Sequence, residues 1–221
     1  MSSENTKALH IVACAEVFRG DGEIMASGMG PEPRAGAALA RATFEPGLLL
    51  TDGVAHAVTE SGDIEGWVPY RTVFDLLWRS KRHVLMGCAQ IDPHGATNIS
   101  CIGPHERPKV QLLGARGGPG NTVCHTTSYW VPKHSTRIFV PKVDFVSGVG
   151  TDRGGRLRHV VTNLCVLDFS GPEGRMAIKS LHPGVTAKEV QDNSGFDVHV
   201  PSSVATTRAP TAAELAWIEA H

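Results

Sequence analysis

Two polar, glycine-punctuated segments of this chain carry the residues best suited to chemistry. The first is Gly114-Ala-Arg-Gly-Gly-Pro-Gly-Asn121, which follows a run that predicts a strand. A glycine-rich turn there presents backbone N–H groups to an anion or a developing oxyanion. The segment lacks the Gly-Lys-Ser/Thr ending of a Walker loop and the spacing of a dinucleotide loop. A plain tight turn is the competing reading. The second segment is Gly87-Cys-Ala-Gln-Ile-Asp-Pro-His-Gly-Ala-Thr-Asn98. An apolar strand runs into Gln90, and Asp92 to Gly95 form a turn. Polar groups at strand ends of an open α/β sheet face the ligand crevice. Gln90 and Asn98 are therefore ligand-binding or loop-bracing residues, and Asp92 and Asn98 equally suit capping their own turn.

Other constellations fail. There is no G-x-S-x-G elbow and no HExxH spacing among the eleven histidines. His125 and His134 lie in a Thr/Ser-rich stretch with no ligand spacing, and His159 and His182 read as structural. Trp67 and Tyr70, in Glu65-Gly-Trp-Val-Pro-Tyr70, either flank a substrate or anchor the core.

The elements that must position these residues can be read from periodicity. Helical spacing runs over Ile11–Arg19, Ala35–Thr43 and Thr72–Arg79. Strand-like runs are Glu23–Ala26, Leu48–Leu50, His83–Cys88 and Gln111–Gly114. Further along, Arg137–Val140, Val143–Ser147, Val160–Leu167 and Met176–Ser180 are β-like with fewer helices between them. Thr186 with Glu189, and Thr211 with Glu214, open helices with capping boxes. The pattern predicts a single α/β domain over residues 1–221. It is an open, mainly parallel sheet flanked by helices, with antiparallel strands added in the C-terminal half.

Composition narrows the class. A net charge of −1 without basic blocks argues against nucleic acid and anionic membrane as partners. Five cysteines without a CxxC pair suit a reducing compartment. The N-terminus does not read as a signal peptide, and no apolar run approaches the ~20 residues of a membrane span. A cytoplasmic protein is expected.

The order of the segments resembles the β subunits of class I CoA-transferases, over roughly residues 10–215. Gly87–Asn98 is similar to that family's GGAQIDPYGNVN stretch, and Gly114–Asn121 to its glycine-rich loop. Val143-Asp-Phe-Val-Ser147 is similar to its IDYVTS. The C-terminal signature is matched by Val160–Phe169, Leu181-His-Pro-Gly-Val-Thr186 and Gly195-Phe196. The resemblance implies a partner α subunit in an αβ or (αβ)₂ assembly, with the active site at the subunit interface. It also implies CoA as part of the substrate, with no tightly bound cofactor and no metal. Transferases of this family attack the thioester with a β-subunit Glu in a VESG-like turn. The matching stretch here is Leu50-Thr-Asp-Gly53, with Thr51 in the Glu position. A threonine hydroxyl with no paired base is a poor nucleophile, and Asp52, one residue along, points the other way.

A subgroup of that family shows the same loss. Ile64-Glu-Gly-Trp67, Arg82-His-Val84, Pro119-Gly-Asn-Thr122, Thr127-Ser-Tyr-Trp130 and Ser180-Leu-His-Pro-Gly184 resemble the β subunits of actinobacterial steroid ring-opening hydrolases. That likeness implies C–C hydrolysis of a cyclic β-keto-type CoA thioester, with the catalytic Glu on the α subunit. This chain would then supply oxyanion donors from Gly117, Gly118 and Gly120. Gln90, Asn98, Asn121, Trp67 and Tyr70 would contact substrate, and Arg116 would bind a carboxylate or stay solvated. The alternatives are a CoA-transferase subunit and a stabilising partner outside the site. An isolated chain is expected to expose an apolar, Ala-rich face.

Overall fold

The computed structural model describes residues 3–69 and 81–221. They fall into two compact units, one of residues up to 86 with 208–221, the other of residues 87–207. Tyr70 and the helix expected over Thr72–Arg79 lie outside the described residues.

In the first unit, α1 (Ser3–Glu16) precedes β1 (Met25–Gly28), α2 (Pro31–Thr43), β2 (Leu49–Thr51), β3 (His56–Val58), β4 (Ile64–Trp67) and β5 (Arg82–Met86). β1 lies between β2 and β5 and is parallel to both. All four of its residues are buried, as suits a strand covered on both faces. β3 and β4 then add to β2 in antiparallel fashion. Antiparallel pairing therefore also occurs in the front half, because turns at Gly53 and Gly62, both with positive φ, reverse the chain too soon for a helical crossover.

α2 opens on Pro31, suited to a first turn, and carries Glu32 in its first turn and Arg41 in its last. Its alanines are small for a reason. A Cβ on Gly36 would lie 2.6 Å from that of Cys14, so α1 and α2 meet at backbone distance. Ala37, Ala38 and Ala40 are buried. These α2 alanines are spent inside the unit, while Ala212, Ala213, Ala216 and Ala220 of the C-terminal helix are exposed; the exposed large apolar side chains described in this unit are Leu49, Val54, Ile64 and Trp67. The C-terminal helix (Ala212–Ala220) has the full Thr211–Glu214 capping box. Arg208 bonds Glu214 at 2.6 Å and Glu16 at 2.7 Å, clasping that helix to α1.

In the second unit two small hairpins come first. They are β6 (Gln90–Ile91) with β7 (Thr97–Asn98), and β8 (Cys101–Ile102) with β9 (Val110–Gln111). Next come α3 (Gly118–Cys124), β10 (Thr126–Val131), β11 (Leu157–Thr162), β12 (Cys165–Asp168), β13 (Ala177–Leu181), α4 (Ala187–Asp192) and β14 (Ala205–Thr206). β10 and β11 are parallel, β12 and β13 continue antiparallel, and β14 is parallel to β13. The mainly parallel α/β sheet with antiparallel additions is thus present, and β10 is buried from Thr127 to Val131.

Four strand expectations change. Of Gln111–Gly114, only Gln111 is in a strand, at the end of β9. Val160–Leu167 is a tight hairpin rather than one run, because the Thr162 hydroxyl accepts the amides of Leu164 and Cys165 and turns the chain. Arg137–Val140 contributes only an isolated bridge, Phe139 to Ile91, and ends at Pro141, which has no N–H to donate. Val143–Ser147 is not a strand: the Asp144 amide bonds the Gln90 side chain of β6, the Ser147 amide bonds the Thr97 carbonyl of β7, and the Asp144 and Ser147 side chains accept the amides of Gly103 and Ile99.

Candidate functional site

The motif segments of the second unit, far apart in sequence, converge on one polar cluster. Asn98 is fully buried. Its amide nitrogen donates to Gln90 Oε1 at 2.8 Å and to the Cys101 carbonyl at 2.6 Å. Its oxygen accepts from the amides of Ser100 and Cys101. Gln90 in turn donates to Asp144 Oδ2 at 3.1 Å and accepts the Asp144 amide at 3.0 Å. The same Asp144 oxygen accepts from Gly103 N. Gln90 and Asn98, expected as binding or bracing groups, have their side-chain amides committed to bracing. They hold β6, β7 and the Val143–Ser147 segment in one frame. Asp92 caps its turn by accepting the amides of His94 and Ala96.

The glycine-rich segment is held to that frame. Gly114 N donates to the Ile99 carbonyl at 3.1 Å. The Ser147 hydroxyl accepts from Ile99 N and lies 2.7 Å from Ser100 Oγ. A Cβ on Gly118 would lie 2.8 Å from the Ser147 carbonyl oxygen. The stretch read as a turn becomes α3 from Gly118 onward, since Pro119 fits a first helical turn. The Gly118 amide donates to the Ala115 carbonyl at 2.9 Å, so that N–H is already used, and Gly118 is required for close packing instead. Gly117 stands at the N-cap, Arg116 has a φ of 47°, and Asn121 is buried within α3.

In the first unit, Thr51 ends β2 and is buried. Its hydroxyl lies 2.8 Å from Ser27 Oγ, which also accepts from Arg82 Nε at 2.9 Å. Asp52 turns the opposite way. Its Oδ1 accepts the amides of Val54, Ala55 and His56 at 2.8, 2.9 and 3.0 Å, and its Oδ2 lies 2.9 Å from His56 Nδ1. Burial pushes this carboxyl up, but the His56 ring and the three amides outweigh it and hold it far below the usual carboxylate range. Thr51 and Asp52 also line a cavity of about 370 Å³ with Lys7, Arg34, Glu60 and Trp217.

The remaining residues sort plainly. Trp67 is 75% exposed on β4, so it is not a core anchor. His134 is buried, stacks on Phe139 at 3.7 Å and bonds Ser194 Oγ. His182 bonds Thr207 and the Thr162 carbonyl. Among the described residues no cluster of three or more His, Cys, Asp or Glu side chains could hold a metal ion. No described helix is long and apolar enough to cross a membrane. Sequence reasoning missed Asp144, Ser147, Ser27 and His56. For His56 the signal was present, since Asp52 and His56 lie four apart across a glycine turn.

The fold and these frames place the chain among known proteins. Residues 77–193 match the family described as Coenzyme A transferase, and the chain belongs to that family. It is 50% identical to the "Cholesterol ring-cleaving hydrolase IpdB subunit" of Rhodococcus jostii, over 94% of this chain and 88% of that one. It is 47% identical to the subunit of the same name from Mycobacterium tuberculosis, over 95% and 91%. The crystal structure of Rhodococcus jostii RHA1 IpdAB superposes with a TM-score of 0.91 at 47% identity, covering 97% of this chain and 92% of that one.

Proposed function

We propose that this chain is the β subunit of a two-subunit cytoplasmic hydrolase of steroid catabolism. It opens the ring of a cyclic β-keto-type CoA thioester by C–C bond hydrolysis. The observation that carries this reading is the identity, over nearly the whole length, to subunits named for cholesterol ring cleavage. Geometry supports it. The position matching the transferase glutamate holds a threonine whose hydroxyl faces a buried serine, so this chain has no carboxylate there to carry CoA.

In this reading a homologous α subunit pairs with the chain and supplies the catalytic glutamate, and CoA enters as part of the substrate. Water adds to the ring ketone, and the C–C bond breaks to leave an enolate conjugated with the thioester. The enolate oxygen needs N–H donors, each worth ~10²–10³ in rate when preorganised. Gly117 and Gly120 remain the candidates for that role once the Gly118 amide is assigned to Ala115. Arg116 and Asn121 stand in the same segment, Arg116 to receive a substrate carboxylate. Gln90 and Asn98 act one step back, by holding the frame. Trp67 offers an exposed ring to substrate or to the partner subunit.

Trapping distinguishes the reading from CoA transfer. Incubating the assembled complex with acyl-CoA and then borohydride or hydroxylamine is expected to leave this chain unmodified. A glutamyl-CoA adduct on this chain would establish transfer instead.

A further inference from the structure

We propose that His56 is a catalytic residue of the ring-opening reaction, with Asp52 as its positioning residue; this rests on the function proposed above. The carboxylate of Asp52 is fixed before any ligand arrives, because three backbone amides hold one of its oxygens. Its other oxygen meets His56 Nδ1 at 2.9 Å. An ionised carboxylate only accepts, so Nδ1 carries the hydrogen and Nε2 is left as the working nitrogen. The His56 side chain is 35% exposed, and among the described residues no hydrogen-bond partner meets Nε2. The ring stands in a recess lined by Thr51, Asp52, Val68 and Arg82, and Thr51 and Asp52 are shared with the larger cavity. A carboxylate that orients a part-exposed imidazole, leaving its second nitrogen without a bonded partner among the described residues, is the arrangement of a proton-transfer group. A turn that needed only capping would have been satisfied by the three amides.

When the ring C–C bond breaks, its electron pair passes to the carbon next to the thioester as an enolate. The His56 imidazolium gives its Nε2 proton to that carbon, and the pair becomes the new C–H bond. As the bond breaks, one O–H proton of the hydrated ketone passes to the proposed α-subunit glutamate and on to solvent, leaving a carboxylic acid; that acid then ionises, and its proton recharges the imidazole.

The test uses the complex of this chain with its α partner and a cyclic β-keto acyl-CoA thioester. Three variants are compared. His56→Asn keeps a nitrogen donor for Asp52 but removes Nε2. His56→Ala removes the ring. Asp52→Asn keeps the shape of the turn. The expected result is a loss of about 10²–10⁴-fold in kcat for both His56 variants with KM little changed, and partial recovery of His56→Ala by added imidazole. Asp52→Asn should lose less than either. Turnover of His56→Asn within about twofold of wild type, with the wild type active, would overturn the inference alone. So would a loss in His56→Ala that imidazole does not relieve. A wild-type complex that opens no ring would sink the function reading, and this inference with it.

Discussion

The hydroxyls of Thr51 and Ser27 lie 2.8 Å apart between the neighbouring strands β2 and β1, and Arg82 Nε approaches Ser27 from β5. The position that matches the transferase glutamate is thus a buried hydrogen-bond site rather than a nucleophile. Thr51→Val, which removes the hydroxyl at constant shape, should lower stability by about 1–2 kcal/mol. It should leave turnover of the complex within about threefold of wild type. Urea unfolding and steady-state kinetics check both halves. A loss of turnover without loss of stability would mean that Thr51 acts directly.

Asn98 makes four polar contacts in a fully buried site. Asn98→Asp removes both of its donors and brings in a charge with no cation bonded to the cluster. It should cost about 3 kcal/mol or more, read from urea unfolding. Gln90→Ala should cost less, because Gln90 makes fewer bonds and lies at the edge of the cluster. Equal stability of Asn98→Asp and wild type would contradict the bracing role.

Gly118 approaches the Ser147 carbonyl so closely that even a methyl group collides with backbone. Gly118→Ala should therefore lose about 1–3 kcal/mol of stability. Any fall in activity should follow the fraction folded. Gly117 already has ordinary helical dihedrals, so Gly117→Ala is expected to fold normally and reports on the site without that confusion. Thermal unfolding of the two variants side by side tests the contrast.

His134 is held neutral, because burial lowers its imidazole to about 4. In the unfolded chain an imidazole titrates near 6.5, so the unfolded state takes up a proton first. The stability from His134 is fully present above about pH 6.5 and is lost as pH falls toward 4, by at most about 1.4 kcal/mol per unit. Urea unfolding at neutral and mildly acidic pH should show this slope in the wild type. His134→Gln, less stable at neutral pH, should lack His134's share of it. Parallel slopes would contradict the assignment.

The sequence made the sheet legible where a run could be only a strand. Met25–Gly28, Arg82–Met86 and Ala177–Leu181 fall close to the expected places. It misled where side chains override the backbone pattern. Thr162 folds one apolar run into a hairpin, and Asp144 and Ser147 draw Val143–Ser147 into loop bonding. The glycines were legible as a special place but not in their roles. The Gly118 packing contact is made with Ser147, a partner that no local pattern reveals. Asp52 and His56 lie only four residues apart in the sequence, yet their pairing is seen only once the turn brings Oδ2 to Nδ1.

In the proposed reaction the complex breaks a ring C–C bond and leaves the thioester whole. The most direct measurement is mass spectrometry of the product formed in heavy-oxygen-labelled water from a cyclic β-keto acyl-CoA. The expected result is an opened product still joined to CoA, with labelled oxygen in its new carboxylate. Release of free CoA with the ring intact, or transfer of CoA to an added acid, would contradict it.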